Sequence, residues 1–384
     1  MKGKPIRFHL KNSSILVIVT TILFLFSFLS VFSLTGDILE HAVFIVVGAV
    51  IIWAFSFVSY VTLNKFSNIA LFIALLLLIA TLVFGSGAAG RSLFIMNRYI
   101  QTFYPIAFLV IFFMVSFLAS NIKDHQAITR SEAIFLFVVL GGFCIGIALR
   151  NMSTAVLLMI TGWLIMFIAD VKPKYLFIFI FICLLGGVMY ISVGSIKEKK
   201  ATEQLAIENS KDRGSTVANR VKYWMTGESD TKGYGKQMTL AKAAVARSGL
   251  SPTGPGKGIL KQSMAEGEND FIFALICEEF GFVVGSIILF LYFIFFITTV
   301  QLSNKSSGIF AKLYAVGIGF LITAQGLVHI GANLGVIPAT GQTLPFISKG
   351  GVTLLVSCFA VGILLNIAKQ NGNDAIEDET NADS

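Results

Sequence analysis

The feature that most constrains this chain is the repeated absence of charge over long stretches. Between Lys11 and Asp37, between Lys65 and Arg91, and between Glu279 and Lys305, no Asp, Glu, Lys or Arg occurs, while Leu, Ile, Val and Phe dominate. A membrane-crossing helix needs about 20 apolar residues, because each residue rises about 1.5 Å and the hydrocarbon layer is about 30 Å thick. In that layer no water satisfies the backbone, so such segments must be helical. Charged residues make up only 13% of the 384, against roughly 25% in a soluble domain. The expected fold is therefore all-α and polytopic. Ten spans are drawn, at 14–35, 41–61, 67–85, 103–120, 131–149, 152–170, 175–194, 270–299, 309–336 and 350–368. The basic first residues lead into an apolar run with no small-residue cleavage site, which is read as a retained first helix. No internal repeat stands out, which disfavours an inverted-repeat transporter.

Orientation follows from Lys and Arg in the short connections. With the N-terminus in the cytoplasm, Lys2, Lys4, Arg7, Lys11, Lys65, Lys123, Arg130, Lys172, Lys174, Lys305, Lys312 and Lys369 lie inside. Only Arg91, Arg98, Arg150 and Lys349 lie in short outer connections, so both termini are expected inside. The organisation is then a short N-terminus (1–13), a membrane domain (14–368) and an acidic tail (369–384) expected to be disordered. Although the net charge is +8, its scattering over loops gives no basic face for nucleic acid. Cys144, Cys183, Cys277 and Cys358 all sit in apolar segments and read as packing residues.

One connection is unusually long. Residues 195–269 form an outer loop between spans seven and eight, with 13 basic and 8 acidic residues. Its first part (KEKKATEQLAIENSKD) reads as a solvated helix, and its second part contains GLSPTGPGKGILK. The Gly-Pro-Gly-Lys-Gly stretch lacks the spacing and Lys-Ser/Thr pair of a nucleotide-binding loop. Ionisable groups at membrane depth are functional candidates by default. Asp270 opens span eight and reads either as a helix-start carboxylate or as a functional group. Glu278 and Glu279, about two turns deeper, read as a buried polar pair bonded to neighbouring helices. Arg220, Lys222, Lys257 and Lys261 are candidates for an anionic headgroup or phosphate, or else a solvated basic loop. His329 is one isolated imidazole and reads as a helix contact. Residues 333–351 carry two prolines, four glycines and Lys349; irregular backbone there must be covered by protein or line a cavity.

Two stretches carry a resemblance. GPGKGILKQSMAEGENDFIFALICEEFG at 254–281 and NLGVIPATGQTLPFISKGG at 333–351 resemble signatures of the SEDS family (shape, elongation, division and sporulation), the FtsW/RodA-type peptidoglycan glycosyltransferases. NMSTA at 151–155, Gly87-Ala88 before Arg91, and YGKQ at 234–237 with ARSG at 246–249 are weaker echoes; the first leans towards the division-type member. The resemblance implies ten spans, a large outer loop between spans seven and eight, and polymerisation of lipid II into glycan strands. It places Asp270 on the family's essential aspartate and Glu278, Glu279 and Gly281 on its helix motif. Glu268 and Asn269 stand where His-Thr is usual, Ala265 replaces a proline, His329 occupies a common Asn position and Lys349 replaces a tyrosine. IQTFYP at 100–105 stands in place of a Gln-Pro-Ser-Glu block.

The expected reaction joins two lipid-linked disaccharides at the outer face of a bacterial inner membrane. Asp270 is the expected general base with Glu266 as auxiliary, a role suited to a partly desolvated carboxylate. Arg220 and Lys261 are expected at the diphosphate, with Gln237, Lys257, Ser348 and Lys349 as further substrate-binding candidates. A divalent cation (Mg or Mn) would share that charge, although no dedicated ligand cluster is seen. The implied partners are lipid II, a class B penicillin-binding protein acting as transpeptidase, and division or elongation proteins. The rival readings are a flippase for the same lipid, using Glu278 and Glu279 as a polar path, and a non-catalytic scaffold for the transpeptidase.

Overall fold

The computed structural model describes residues 12–35, 39–86, 92–95, 98–122, 128–181, 186, 220–221, 224–225, 234–249, 252–264 and 267–382. Apolar runs become helices: α1 (Asn12–Thr35), α2 (Leu39–Phe55), α3 (Ser67–Phe84), α4 (Phe103–Asn121), α5 (Arg130–Ala148), α6 (Met152–Ile168) and α7 (173–181). After the long connection come α8 (Tyr234–Arg247), α9 (Ile272–Phe280), α10 (Phe282–Lys305), α11 (Ile309–Leu334) and α12 (Gly351–Ala382). Among the described residues, seven helices are long and apolar enough to cross a bilayer, and α2 and α6 are shorter apolar helices. The seventh expected span, 175–194, and the 197–212 stretch lie largely or wholly outside the described residues.

Helices adjacent in sequence pair as antiparallel neighbours, α3 with α4, α5 with α6 and α10 with α11, while α12 returns to α2. The buried axis is α4 and α11. Aromatic edges fill it: Phe112 meets Phe310 at 5.9 Å and Tyr314 at 6.2 Å between ring centres, and Phe108 meets Phe359 at 5.6 Å. Polar groups inside such a bundle must find partners within the protein. Tyr104 Oη pairs with Ser357 Oγ at 3.0 Å, and Tyr314 Oη donates to the Ala360 carbonyl at 3.4 Å.

Basic residues gather at one end. There Lys305 reaches Asn12, Lys369 donates to Ser56 Oγ at 2.9 Å, and Asn371 donates to Ser306 Oγ at 2.9 Å. The opposite end holds the α8 segment, the Gly-rich stretch before α9 and the 335–350 connection.

Four expectations are corrected. Span eight, drawn as one helix over 270–299, is broken twice. A helical turn at Gly267–Asp270 ends before Phe271 (φ −127°, ψ 19°), and α9 stops at Gly281, whose φ of 88° and ψ of 163° suit a residue without Cβ. The uncharged run after Glu279 hid this stop, although a glycine closing a helix is a sequence signal. The second span ends at Phe55, six residues early, and a short turn at Tyr60–Asn64 follows. The connection before α4, in a chain expected to be all-α, holds two short antiparallel strands, Ser92–Ile95 paired with Arg98–Gln101. The last helix continues to Ala382, through the tail read as disordered, since no proline follows Gly351 to stop it.

The Gly281 break yields a prediction. Placing alanine there should cost about 1–3 kcal/mol of strain, read as a lowered Tm in detergent with the helix content of α10 unchanged.

Candidate functional site

Two stretches singled out in the sequence meet at one end of the bundle. The 335–350 connection is irregular and largely buried, and its backbone is held by side chains from several helices. His329 Nδ1 lies 2.7 Å from the Gln342 carbonyl, which can only accept, so that nitrogen carries the proton. Gln325 donates to the Thr343 carbonyl at 2.9 Å, Ser27 to the Ile347 carbonyl at 3.0 Å, and Tyr292 to the Pro345 carbonyl. Gln342 in turn donates to Thr154 Oγ1 on α6 at 2.8 Å. Because the Ser27 proton is used on Ile347, His41 Nε2, at 2.7 Å, donates to Ser27. Buried Phe346 sits in the left-handed region at φ 67°, wedged near Phe24 and Phe295. Such strain persists only where surrounding structure fixes it. The cover required of irregular backbone at membrane depth is thus supplied.

This braced connection touches the segment that carries Asp270. Ser348, 3% exposed, accepts from Leu344 N at 2.8 Å and donates to the Asn269 carbonyl at 2.9 Å. Asn333, at the end of α11, donates to the Asp270 carbonyl at 3.1 Å. Phe271 anchors the same segment from the other side, in a small apolar core with Ala241 and Ala244 of α8, Met264, Ala274 and Leu275. Asp270 itself is half-buried.

Glu278 and Glu279 are fully buried, and their partners are mostly not on neighbouring helices. Glu278 accepts from the backbone N–H groups of Ile259 (3.1 Å) and Leu260 (3.4 Å), with Arg247 Nε 3.9 Å away. Glu279 accepts from Gly258 N at 3.3 Å and from the Ser33 hydroxyl of α1. Ser33 in turn accepts from Gly256 N at 2.6 Å, while the Glu279 carbonyl accepts from Gly254 N at 3.0 Å. Glycine is required at 258, since a Cβ there would lie 2.9 Å from Glu279 Oε1 and 3.2 Å from Glu278 Oε2. The last glycine of the Gly-Pro-Gly-Lys-Gly stretch and the two residues after it therefore turn their amides onto two carboxyl groups of their own chain. That arrangement resembles an anion cradle whose anion is internal.

The remaining candidates are distributed. Arg220 donates to the Ala339 carbonyl at 3.3 Å, and Trp224 Nε1 to Gly335 at 2.9 Å, so this part of the long connection lies on the 335–350 segment. Gln237 is half-buried on α8, Lys257 is exposed beside Gly258, and Lys349 is half-buried. Glu266, Lys222 and the Lys261 side chain lie outside the described residues. Sequence reasoning missed Ser33, Arg247, Gln342 and the role of Asn333; only the last had a signal, as a polar amide ending an apolar span. Among the described residues no group of three or more His, Cys, Asp or Glu is placed to hold a metal.

The comparisons with known proteins decide the family. The FtsW/RodA/SpoVE profile, described as that of a cell cycle protein, matches residues 8–373. The chain belongs to this family. A probable peptidoglycan glycosyltransferase FtsW of Enterococcus hirae is 29% identical over 260 residues, covering 67% of this chain and 64% of that protein. Stage V sporulation protein E of Bacillus subtilis is 26% identical over 328 residues, 84% of each chain. Among solved structures, a chain described under the structural coordination of polymerization and crosslinking by a peptidoglycan synthase complex aligns with a TM-score of 0.68 at 19% identity. It covers 93% of this chain and 97% of that one. The Thermus thermophilus rod shape determining protein RodA aligns with a TM-score of 0.63 at 16% identity, over 93% and 96%. These two likenesses establish the family's fold in this chain.

Proposed function

We propose that the protein is a peptidoglycan glycosyltransferase that polymerises lipid II at the outer face of a bacterial inner membrane. The observation that carries this reading is the clamped segment around Asp270, in a chain of this family with a relative named a probable peptidoglycan glycosyltransferase. The C4 hydroxyl oxygen of one sugar attacks the anomeric carbon of the next. The C1–O bond to the diphosphate breaks, its electron pair leaves with the polyprenyl diphosphate, and the hydroxyl proton passes to the Asp270 carboxylate. A base within reach of that proton contributes about 10²–10⁴ in rate. Glu266 is the proposed auxiliary. Arg220 and Lys261 are the proposed cations for the leaving diphosphate, with Gln237, Lys257 and Lys349 at the substrate; Ser348, expected there, is buried with its hydroxyl engaged by Leu344 and Asn269, and holds the segment instead. Stabilising charge is most effective where water is excluded.

The basic end of the bundle is assigned to the cytoplasm together with both termini, and the Asp270 end to the outer face. A class B penicillin-binding protein is the proposed partner, in keeping with the synthase complex that the fold resembles. The flippase reading needs Glu278 and Glu279 to offer a polar path, yet their oxygens accept from Gly258, Ile259, Leu260 and Ser33.

The test uses the full-length protein in liposomes carrying fluorescent lipid II, with and without the transpeptidase. Lysozyme-sensitive glycan chains are the expected product. Lipid II that changes leaflet and stays monomeric in both conditions overturns the reading in favour of transport.

A further inference from the structure

In an unbroken helix through this segment, the amide of Ala274 would donate to the carbonyl of Asp270 four residues earlier. Here the non-helical Phe271 opens that pair, with Ala274 buried and Asp270 half-buried. A buried main-chain N–H or C=O without a partner costs about 1–3 kcal/mol, so the break requires substitutes. Asn333 supplies both: Oδ1 accepts from Ala274 N at 3.0 Å and Nδ2 donates to Asp270 O at 3.1 Å. Its second amide hydrogen goes to the His329 carbonyl, 2.9 Å away on its own helix, and the side chain is 1% exposed.

We propose that Asn333 is a positioning residue for Asp270, its carboxamide inserted into the open Ala274–Asp270 pair so that the kink, and with it the aim of the Asp270 side chain, is fixed. The proposal rests on the reading of Asp270 as the base. The chemistry selects an amide. A carboxylate at 333 would still accept from Ala274 but has no hydrogen for Asp270, and an aliphatic side chain offers neither the acceptor nor the donor. Ser348, holding the preceding carbonyl at Asn269, is the second point of the clamp. Asn333 lies at the end of α11, which runs along the buried axis, so the clamp is tied to one of the two most buried helices.

Two measurements test it on the full-length protein. The first is hydrogen exchange of Asn333→Ala in detergent. Exchange in 270–276 should become faster while α10 and α12 keep their protection, and unchanged exchange there would overturn the proposal whatever the activity. The second is lipid II polymerisation at varied substrate. Asn333→Ala should lower kcat by about tenfold or more and leave KM within about twofold, the pattern of a lost transition-state interaction. Thr323→Val, which removes a different buried hydrogen bond from α11, should retain near wild-type kcat. With Asp270 already alanine, adding Asn333→Ala should change the residual rate by less than about twofold, because residues acting as one unit are non-additive. Additive losses, or a raised KM with unchanged kcat, would make Asn333 merely structural. A wild-type protein that makes no polymer would count against the proposed function, and the exchange result would still decide the clamp.

Discussion

Asp270→Ala should reduce lipid II polymerisation by about 10²–10⁴-fold, the range lost when a positioned base is removed. The fold should be little affected. Asp270 is half-buried, and the contact that Asn333 makes is to its main-chain carbonyl, which alanine keeps. Neither truncation of an apolar core group nor loss of the clamp accompanies the change. Tm in detergent should therefore stay close to that of the wild type while glycan chains disappear from the product gel. A variant that lost polymer and Tm together would indicate a structural carboxylate instead.

The second large effect is expected at Glu279, and it should be one of stability and order. Glu279→Ala leaves the buried amide of Gly258 and the Ser33 hydroxyl without their acceptor. At about 1–3 kcal/mol for each orphaned group, the change should lower Tm by several degrees and release the 252–263 stretch. Limited proteolysis should then cut within that stretch, which the wild type protects. Gly258→Val should reproduce the phenotype from the other side, since its Cβ would collide with both carboxyl groups. If Glu279→Ala were as resistant as the wild type, the latch would not be holding the Gly-rich stretch.

Why were these groups only partly legible in the sequence? Uncharged runs made the helical class legible, because lipid leaves few options for an apolar run. The same reasoning failed where a local signal was embedded in an apolar context. Gly281 ends α9 inside a run long enough to cross, and the short turn at Gly267–Asp270 has no periodicity of its own. Asp270 and the glutamates stood out because charge at membrane depth is costly. Their partners did not, because a backbone amide such as Gly258 N carries no letter in the sequence. Nor does anything near Ser33 announce a bond to a residue 246 positions away. The resemblance to family signatures linked 254–281 with 333–351 as motifs, and the structure adds the reason they belong together. Asn333 and Ser348 from the second stretch complete hydrogen bonds that the kink in the first leaves open.

The central claim is that Asp270 accepts a proton as the glycosidic bond forms, and the most direct measurement is the pH dependence of lipid II polymerisation in wild type and Asp270→Ala together. A base must be ionised to act, so the wild-type kcat should fall as pH drops through the titration of one group. The residual rate of Asp270→Ala should lack that acid limb. The same acid limb in both proteins would contradict the account.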